Sequence, residues 1–440
     1  NSLLLIGFAT AIGMMALFTV LENPIAGIDR ATGVHNLPML HEYIAQKYNR
    51  EKNFSVISVS FSSYAGLLEE ERDLRMSLTR YFLKFENAHV FRNSRFGFAV
   101  VFDDEGLIDD AVKDMQEAFS KEWRYGLSDE QSRILSPLFL VMKDSSITKS
   151  VDELFAFGNY AVNTYVDDAG SVIYLDEQKF LERSEFEKNK RKLIGAMKRD
   201  KVHVYYQPIY STKKDKFVSA EALVRIEDKH GNIIPPAMFI PIAEATGHIK
   251  ELGQIVFERV CRFIRDENPM QYGIEYIEVN LSVKQVEHKE LSAVYKKIIG
   301  EYGIEPGRIN LEITESSTIE IRQNVLENMD KLVDMGVNFS LDDFGNGQSN
   351  LDYIIDMPVA IVKFDREMTQ GYFKSDRAKH VMRSVVELIH GMGLSIVAEG
   401  VETFEQLNEL KKLDIEYIQG FYFSKPIPED EFLEFIIEHN

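Results

Sequence analysis

From Lys201 to the C-terminus, short apolar runs alternate with stretches whose apolar residues recur at helical spacing, and most runs stop at a polar residue. The runs are "VHVYYQPIY" (Val202–Tyr210), "FVSAEALVR" (Phe217–Arg225), "YIEVN" ending at Asn280, "INLEITE" with Glu312 and Glu315, and "VNFSLDD" ending at Asp342 and Asp343. "AIVKFD" with Lys363 and Asp365, "LSIVAEG" with Glu399, and "EYIQG" with Gln419 complete the series. Helical patterns fall between most of them, at 283–302, 323–335, 378–392 and 404–413. Strands alternating with helices build βαβ units on a parallel sheet. The tips Asn280, Glu312, Asp342, Lys363, Glu399 and Gln419 are 32, 30, 21, 36 and 20 positions apart, each close to one strand–helix unit. Eight strands in all predict an α/β fold with a TIM-like (β/α)8 barrel over 201–440, whose strand ends share one site.

The region before it has a different texture. Residues 23–176 read as a separate α/β domain, with strand-like runs at Phe54–Phe61 and Phe96–Phe102 and amphipathic helices at Leu74–Phe85 and Asp109–Phe119. Residues 177–200 are dense in charge and free of proline, the pattern of a linker helix. Ser2–Leu21, "SLLLIGFATAIGMMALFTVL", carries no charge, and as a helix it would cover roughly 30 Å, about one hydrocarbon core. A transmembrane helix over 1–22 is therefore expected. The start at Asn1 rather than Met leads us to expect that it is the end of a longer membrane region.

Composition narrows the chemistry. The 440 residues are 45% hydrophobic and 27% charged, as in ordinary globular domains, and the net charge of −20 argues against tracking an extended nucleic acid. The single cysteine, Cys261, lies in a helix-like stretch and excludes both an internal disulfide and a cysteine-based metal site.

If the strand tips converge, they gather Glu221, Asn280, Glu312, Asp342, Asp343 and Glu399 around Lys363. Five carboxylates and an amide oxygen, without His or Cys, form a hard oxygen site suited to Mg²⁺ or Mn²⁺. Adjacent acids such as Asp342 and Asp343 repel unless solvated or bridged by cations, and two such ions suit in-line attack at phosphorus. Lys363 would then hold the attacking oxygen and offset charge in the transition state.

At these residues the chain resembles the EAL family of cyclic di-GMP phosphodiesterases. "YYQPIY", "AEALVR", "PPAMFIPIAEATGHI", "VNLS", "LEITE", "LDDFGNG", "VKFD", "IVAEGVET" and "IQGFYFSKP" occur in the family's order over about 185–440. The resemblance implies a barrel that hydrolyses cyclic di-GMP to linear pGpG with two Mg²⁺ or Mn²⁺ ions. It implies that Glu221, Asn280, Glu312 and Asp342 hold one metal, and that Asp343 and Glu399 serve the second metal or its water. Glu399 and Lys363 take catalytic roles, Glu315 props the loop after Asp343, and Gln419 supports the metal site. Gln207, Leu223, Arg225, Asp365, Glu402 and Gln419 are assigned to the dinucleotide. The loop departs from the family pattern at Asn346, Gln348 and Asn350, where Thr, Tyr and Ser are usual, which bears on regulation and turnover more than on metal binding. His248 is read as structural. A homodimer is expected, held at the inner membrane by the first helix with its catalytic domains in the cytoplasm.

The preceding domain resembles a degenerate diguanylate cyclase (GGDEF) domain. "IDRATGVHNLPML" stands where that family opens, and Ser94-Arg95-Phe96-Gly97-Phe98 replaces the five signature residues. The acids needed to hold magnesium for triphosphate chemistry are missing, both there and in Asn53–Leu68, so a spacer and dimerisation role is expected. Two other readings of the barrel compete with hydrolysis of the dinucleotide. A silent cyclic di-GMP receptor has no physical need for five clustered acids, and a glycoside hydrolase explains neither Lys363 nor the Asp pair.

Overall fold

The computed structural model describes residues 27–29, 31–61, 68–125, 132–166, 171–314, 323–345, 354–355 and 357–440. Ser2–Leu21, Glu315, Asn346, Gln348 and Asn350 lie outside them. Among the described residues no helix is long and apolar enough to cross a membrane. The chain divides into two compact units, residues 1–187 and 188–440.

The first unit is built on a five-stranded sheet of β1 (Ser55–Ser60), β2 (Ala88–Ser94), β3 (Gly97–Phe102), β4 (Leu138–Met142) and β5 (Val172–Tyr174). Their spatial order is β2-β3-β1-β4-β5, antiparallel except for the β4–β5 pair. Alternation along β1 and β3 sends Ile57, Val59, Phe98, Val100 and Phe102 to one core and Val56, Ala99 and Val101 to the other. The helices Leu68–Phe82 and Ile108–Phe119 contribute to the first core, while Leu37–Asn49 and Val151–Tyr165 contribute to the second. The expected linker helix forms at Glu177–Lys198.

The second unit is the barrel. Its strands are β6 (Val202–Ser211), β7 (Lys216–Glu227), β8 (Tyr276–Asn280), β9 (Ile309–Thr314), β10 (Asn338–Phe344), β11 (Ile361–Phe364), β12 (Ser395–Ala398) and β13 (Tyr417–Ile418). They pair in chain order from β7 to β13, and β6 closes the ring between β13 and β7. β7 through β13 run parallel, as the alternation predicts, but β6 is antiparallel to both neighbours. The connection explains this departure. Only Thr212–Asp215 separate β6 from β7, and so short a link makes a hairpin, whereas a parallel crossover needs about a dozen residues or more. Asp215 takes up the turn in the left-handed region, with φ of 56°.

The two-residue period of the strands separates two environments. Ile277 and Val279 of β8, and Ile309, Leu311 and Ile313 of β9, pack into the large core shared with the surrounding helices. The intervening Glu278, Asn310 and Glu312 are buried on the opposite face. An apolar cluster of Ile209, Ile361 and Val397, with Tyr276 and Tyr417 against it, is separate from the large core. Around the barrel, Phe257 of the helix Ile249–Glu267 stacks on Tyr295 of the helix Leu291–Tyr302, with ring centroids 3.9 Å apart. Both rings are buried, so Phe257→Ala is expected to destabilise the unit by about 3–5 kcal/mol through lost burial and a residual cavity. A urea titration with unchanged slope and a lowered midpoint would show it.

Candidate active site

The geometry of the Asp342-Asp343 pair comes from a fault in the β10–β11 ladder. Leu341 pairs with Val362 and Phe344 with Phe364, so Asp342 and Asp343 together stand opposite the single residue Lys363. This is a β-bulge, and Asp343 sits in the left-handed region with φ of 58°. In a regular strand adjacent side chains diverge to opposite faces. The bulge breaks that alternation, leaving Asp342 nearly buried 4.0 Å from the Lys363 ammonium and Asp343 half-buried.

Lys363 is the centre of the site. Its ammonium is fully buried, 2.6 Å from Glu312, 2.8 Å from Glu399, 3.5 Å from Glu278, 3.6 Å from Glu221 and 4.0 Å from Asp342. Burial alone would lower its pKa, but the charges of Glu221, Glu312, Glu399 and Asp342 outweigh it and hold the amine above its ordinary value. Glu221 is the best-satisfied acid. Asn280 Nδ2 donates to its Oε1 at 2.7 Å, and Gln419 Nε2 donates to its Oε2 at 2.7 Å. Burial opposes its charge, yet Lys363 and these two amides bring its pKa below the ordinary carboxylate value. The other acids move upward. Burial, only partly opposed by Lys363, drives Glu312 well above the carboxylate range, Asp342 up to about 6 and Glu399 up to about 8. Asp343 is raised by burial and then by the charge of Asp365.

Gln419 and Gln207 complete the floor. Gln207 pairs in register with Glu221, accepts from Gln419 Nε2 at 3.1 Å and donates to the Ser424 carbonyl at 3.0 Å. Gln419 is fixed by backbone bonds to Ala398 and Val401. The next residue is Gly420, where an added Cβ would lie 2.1 Å from the Val401 carbonyl oxygen, so only glycine permits that approach.

Glu221, Asn280, Glu312, Asp342, Glu399, Gln207 and Gln419 are thus drawn together around Lys363, as the tips predict. Arg225 is half-buried over the Tyr205 ring, and Leu223 lies between Glu221 and Arg225 on the same face of β7, paired with Tyr205. Asp365 caps the helix Arg366–Tyr372 by accepting from the Met368 amide, and Glu402 pairs with Arg366 at 2.7 Å. His248 shares a hydrogen bond with Thr246 at a helix start, in keeping with a structural role. Glu278 is the acid that sequence reasoning missed. It sits two positions before Asn280 in "YIEVN", and the strand period alone places both on one face. Among the described residues no three Asp, Glu, His or Cys side chains converge as a ready-made metal cage. The acids gather on the ammonium instead.

The EAL domain family model matches residues 190–426. The signalling protein YkoW of Bacillus subtilis is 32% identical over 246 residues, covering 56% of this chain and 31% of that protein. The bifunctional diguanylate cyclase/cyclic di-GMP phosphodiesterase MucR of Pseudomonas aeruginosa is 32% identical over 241 residues, or 55% of this chain and 35% of that one. The chain spans about a third of the length of these curated relatives. Among solved structures, the PaMucR phosphodiesterase in its c-di-GMP complex superimposes with a TM-score of 0.53 at 31% identity, covering 56% of this chain and 99% of that one.

The raised acids make stability depend on pH. A carboxylate whose folded pKa lies above its unfolded value stabilises the fold while protonated, and that contribution is lost as pH rises through the folded pKa. Without divalent cations, the barrel's melting temperature is expected to fall as pH rises from about 4 to 8, the Asp342 contribution being lost by about pH 6 and that of Glu399 by about pH 8. Magnesium should raise the melting temperature more at pH 8 than at pH 6, which thermal melts at the two pH values would check.

Proposed function

The chain belongs to the EAL domain family, and on that premise we propose that it hydrolyses cyclic di-GMP to linear pGpG, in bacterial second-messenger signalling. The observation that carries this reading is the set of five carboxylates within 4.0 Å of one buried ammonium. Such a cluster is far too acidic for its single cation, and four of its buried oxygens, both of Glu278 together with Glu312 Oε2 and Asp342 Oδ1, have no hydrogen-bond partner. Oxygen donors short of positive charge fit Mg²⁺ or Mn²⁺. Glu221, Asn280, Glu312 and Asp342 would hold one ion, and Asp343 and Glu399 would serve the second. When bound, the ions supply Lewis-acid polarisation of the phosphate and of the attacking water.

The chain's own residues supply the rest. Glu399 is the most open of the five acids, with 23% of its side chain exposed, and it is placed to take the proton from the attacking water. Lys363 offsets charge that builds on the phosphate oxygens as the new P–O bond forms and the ring P–O bond breaks. Gln419 and Gln207 keep Glu221 oriented. Arg225, four residues beyond Glu221 on the same face of β7, would serve the second phosphate, and Leu223, Asp365 and Glu402 would complete the surface for the dinucleotide.

The first unit is read as a diguanylate cyclase-like domain without its chemistry. Its β2–β3 hairpin carries Arg95, whose guanidinium bonds Glu71 at 2.9 and 2.6 Å, and a buried Phe96, so no acid stands at the turn. A homodimer, held at the inner membrane through Ser2–Leu21 with both folded units in the cytoplasm, belongs to the same reading and rests on that uncharged run and on the family resemblance. The competing reading, a silent receptor, draws on the acids being gathered on Lys363 rather than around a metal point.

The full chain should produce pGpG from cyclic di-GMP with Mg²⁺ or Mn²⁺ and none with Ca²⁺, as followed by chromatography. Glu221→Gln or Asp342→Asn should lower turnover by more than about a hundredfold. Binding without turnover in any metal would establish the receptor instead.

A further inference from the structure

Four of the five carboxylates around Lys363 have a role in the reading above, and Glu278 has none. Its side chain is fully buried, 3.5 Å from the ammonium, no amide or hydroxyl donates to its oxygens, and it lies against Glu312, whose carboxyl it helps to hold above the ordinary range. Its ladder neighbours do not serve it. Glu221, across β7, gives both oxygens to the amides of Asn280 and Gln419, and Asn310, across β9, donates to Ser340. Lys363 is the one cation paired with Glu278 among the described residues. A carboxylate held in this way without donors is costly, and only a buried opposite charge offsets that cost.

The arrangement becomes pointed once the other acids are engaged. Glu221, Glu312, Asp342 and Glu399 are the acceptors a divalent cation would draw on, which would leave the ammonium with Glu278 alone. Resting on the hydrolase reading, we propose that Glu278 is the resident counter-ion of Lys363, a positioning residue that holds the ammonium in place while the other four carboxylates serve the cations. It touches neither the cations nor the substrate in this role and acts only through Lys363.

The test is a double-mutant cycle in the full chain, comparing wild type, Glu278→Gln, Lys363→Met and the pair, by thermal melting in saturating Mg²⁺ and by kinetics on cyclic di-GMP. Glu278→Gln should lower kcat by about tenfold or more while KM stays within about twofold, the pattern of a group that acts in the transition state. It should also lower the magnesium-loaded melting temperature by about 2–4 °C when Lys363 is present and by nothing in the Lys363→Met background. Glu278→Asp, which keeps the charge on a shorter stem, should retain more of kcat than Glu278→Gln. Equal melting shifts in both backgrounds, unchanged kcat in Glu278→Gln, or a reversed order of the Asp and Gln variants would overturn the proposal. If the wild type turns over no dinucleotide, the hydrolase reading fails, and the melting cycle still decides whether Glu278 acts through Lys363.

Discussion

One buried ammonium sets the terms for the barrel. Lys363 Nζ has no exposure to solvent and five carboxylates within 4.0 Å, so the interior holds more negative charge than its lysine can neutralise. Moving such charges out of water costs several kcal/mol per ion, and pairing recovers it only when the geometry is tight. Much of the surrounding structure enforces that geometry. Strand alternation sends apolar residues outward into a core shared with the helices, which fixes the strands rigidly enough to aim the polar face inward. The separate cluster of Ile209, Ile361 and Val397 adds apolar packing that the large core does not include.

Two local devices then break the regularity where the site needs it. The bulge in β10 sets two acids opposite one lysine, which no regular ladder does. The antiparallel β6 brings Gln207 into register with Glu221, where it accepts from Gln419. The first device acts on Asp342 and the second on Glu221, the best-satisfied of the acids. Burial pushes Asp342 up to about 6, whereas at Glu221 the Lys363 charge, joined by amide donors on both oxygens, outweighs burial and brings the pKa below the ordinary value. Acids on neighbouring parts of the barrel thus differ in proton affinity because burial, the lysine charge and hydrogen-bond donors balance differently at each, and such a spread gives a site groups of unlike proton affinity.

Much of this was legible in the sequence, for a physical reason. Strand ends on a barrel must be polar where they meet a site, so the tips Asn280, Glu312, Asp342, Lys363, Glu399 and Gln419 declare themselves by interrupting apolar runs. Glu278 escaped because it lies inside its run, where "YIEVN" reads as a strand with one tolerated acid. Only the two-residue period carries the signal. The antiparallel first strand was equally available in the four residues 212–215, but counting strands as repeating units obscured it. Asp365 and Glu402 show the opposite limit. Their residue types match a family pattern, while the helix cap on Met368 and the ion pair with Arg366 depend on backbone positions that no spacing rule specifies.

The two units respond to the same electrostatic cost in opposite ways. At the β2–β3 turn of the first unit, Arg95 pairs with Glu71 and Phe96 fills the interior, so that place in the fold carries no surplus of negative charge. The barrel keeps its surplus. Buried ion clusters rarely stabilise a fold better than apolar residues of the same volume would, so stability alone gives the barrel no reason to hold five acids around one lysine. A ligand that merely rested on the barrel mouth would give none either, because Glu278 and Glu312 are wholly buried beneath it. Cations that neutralise the cluster and draw a phosphate towards it do supply a reason. That excess of negative charge around Lys363 is the feature on which the proposal of chemistry over passive binding rests.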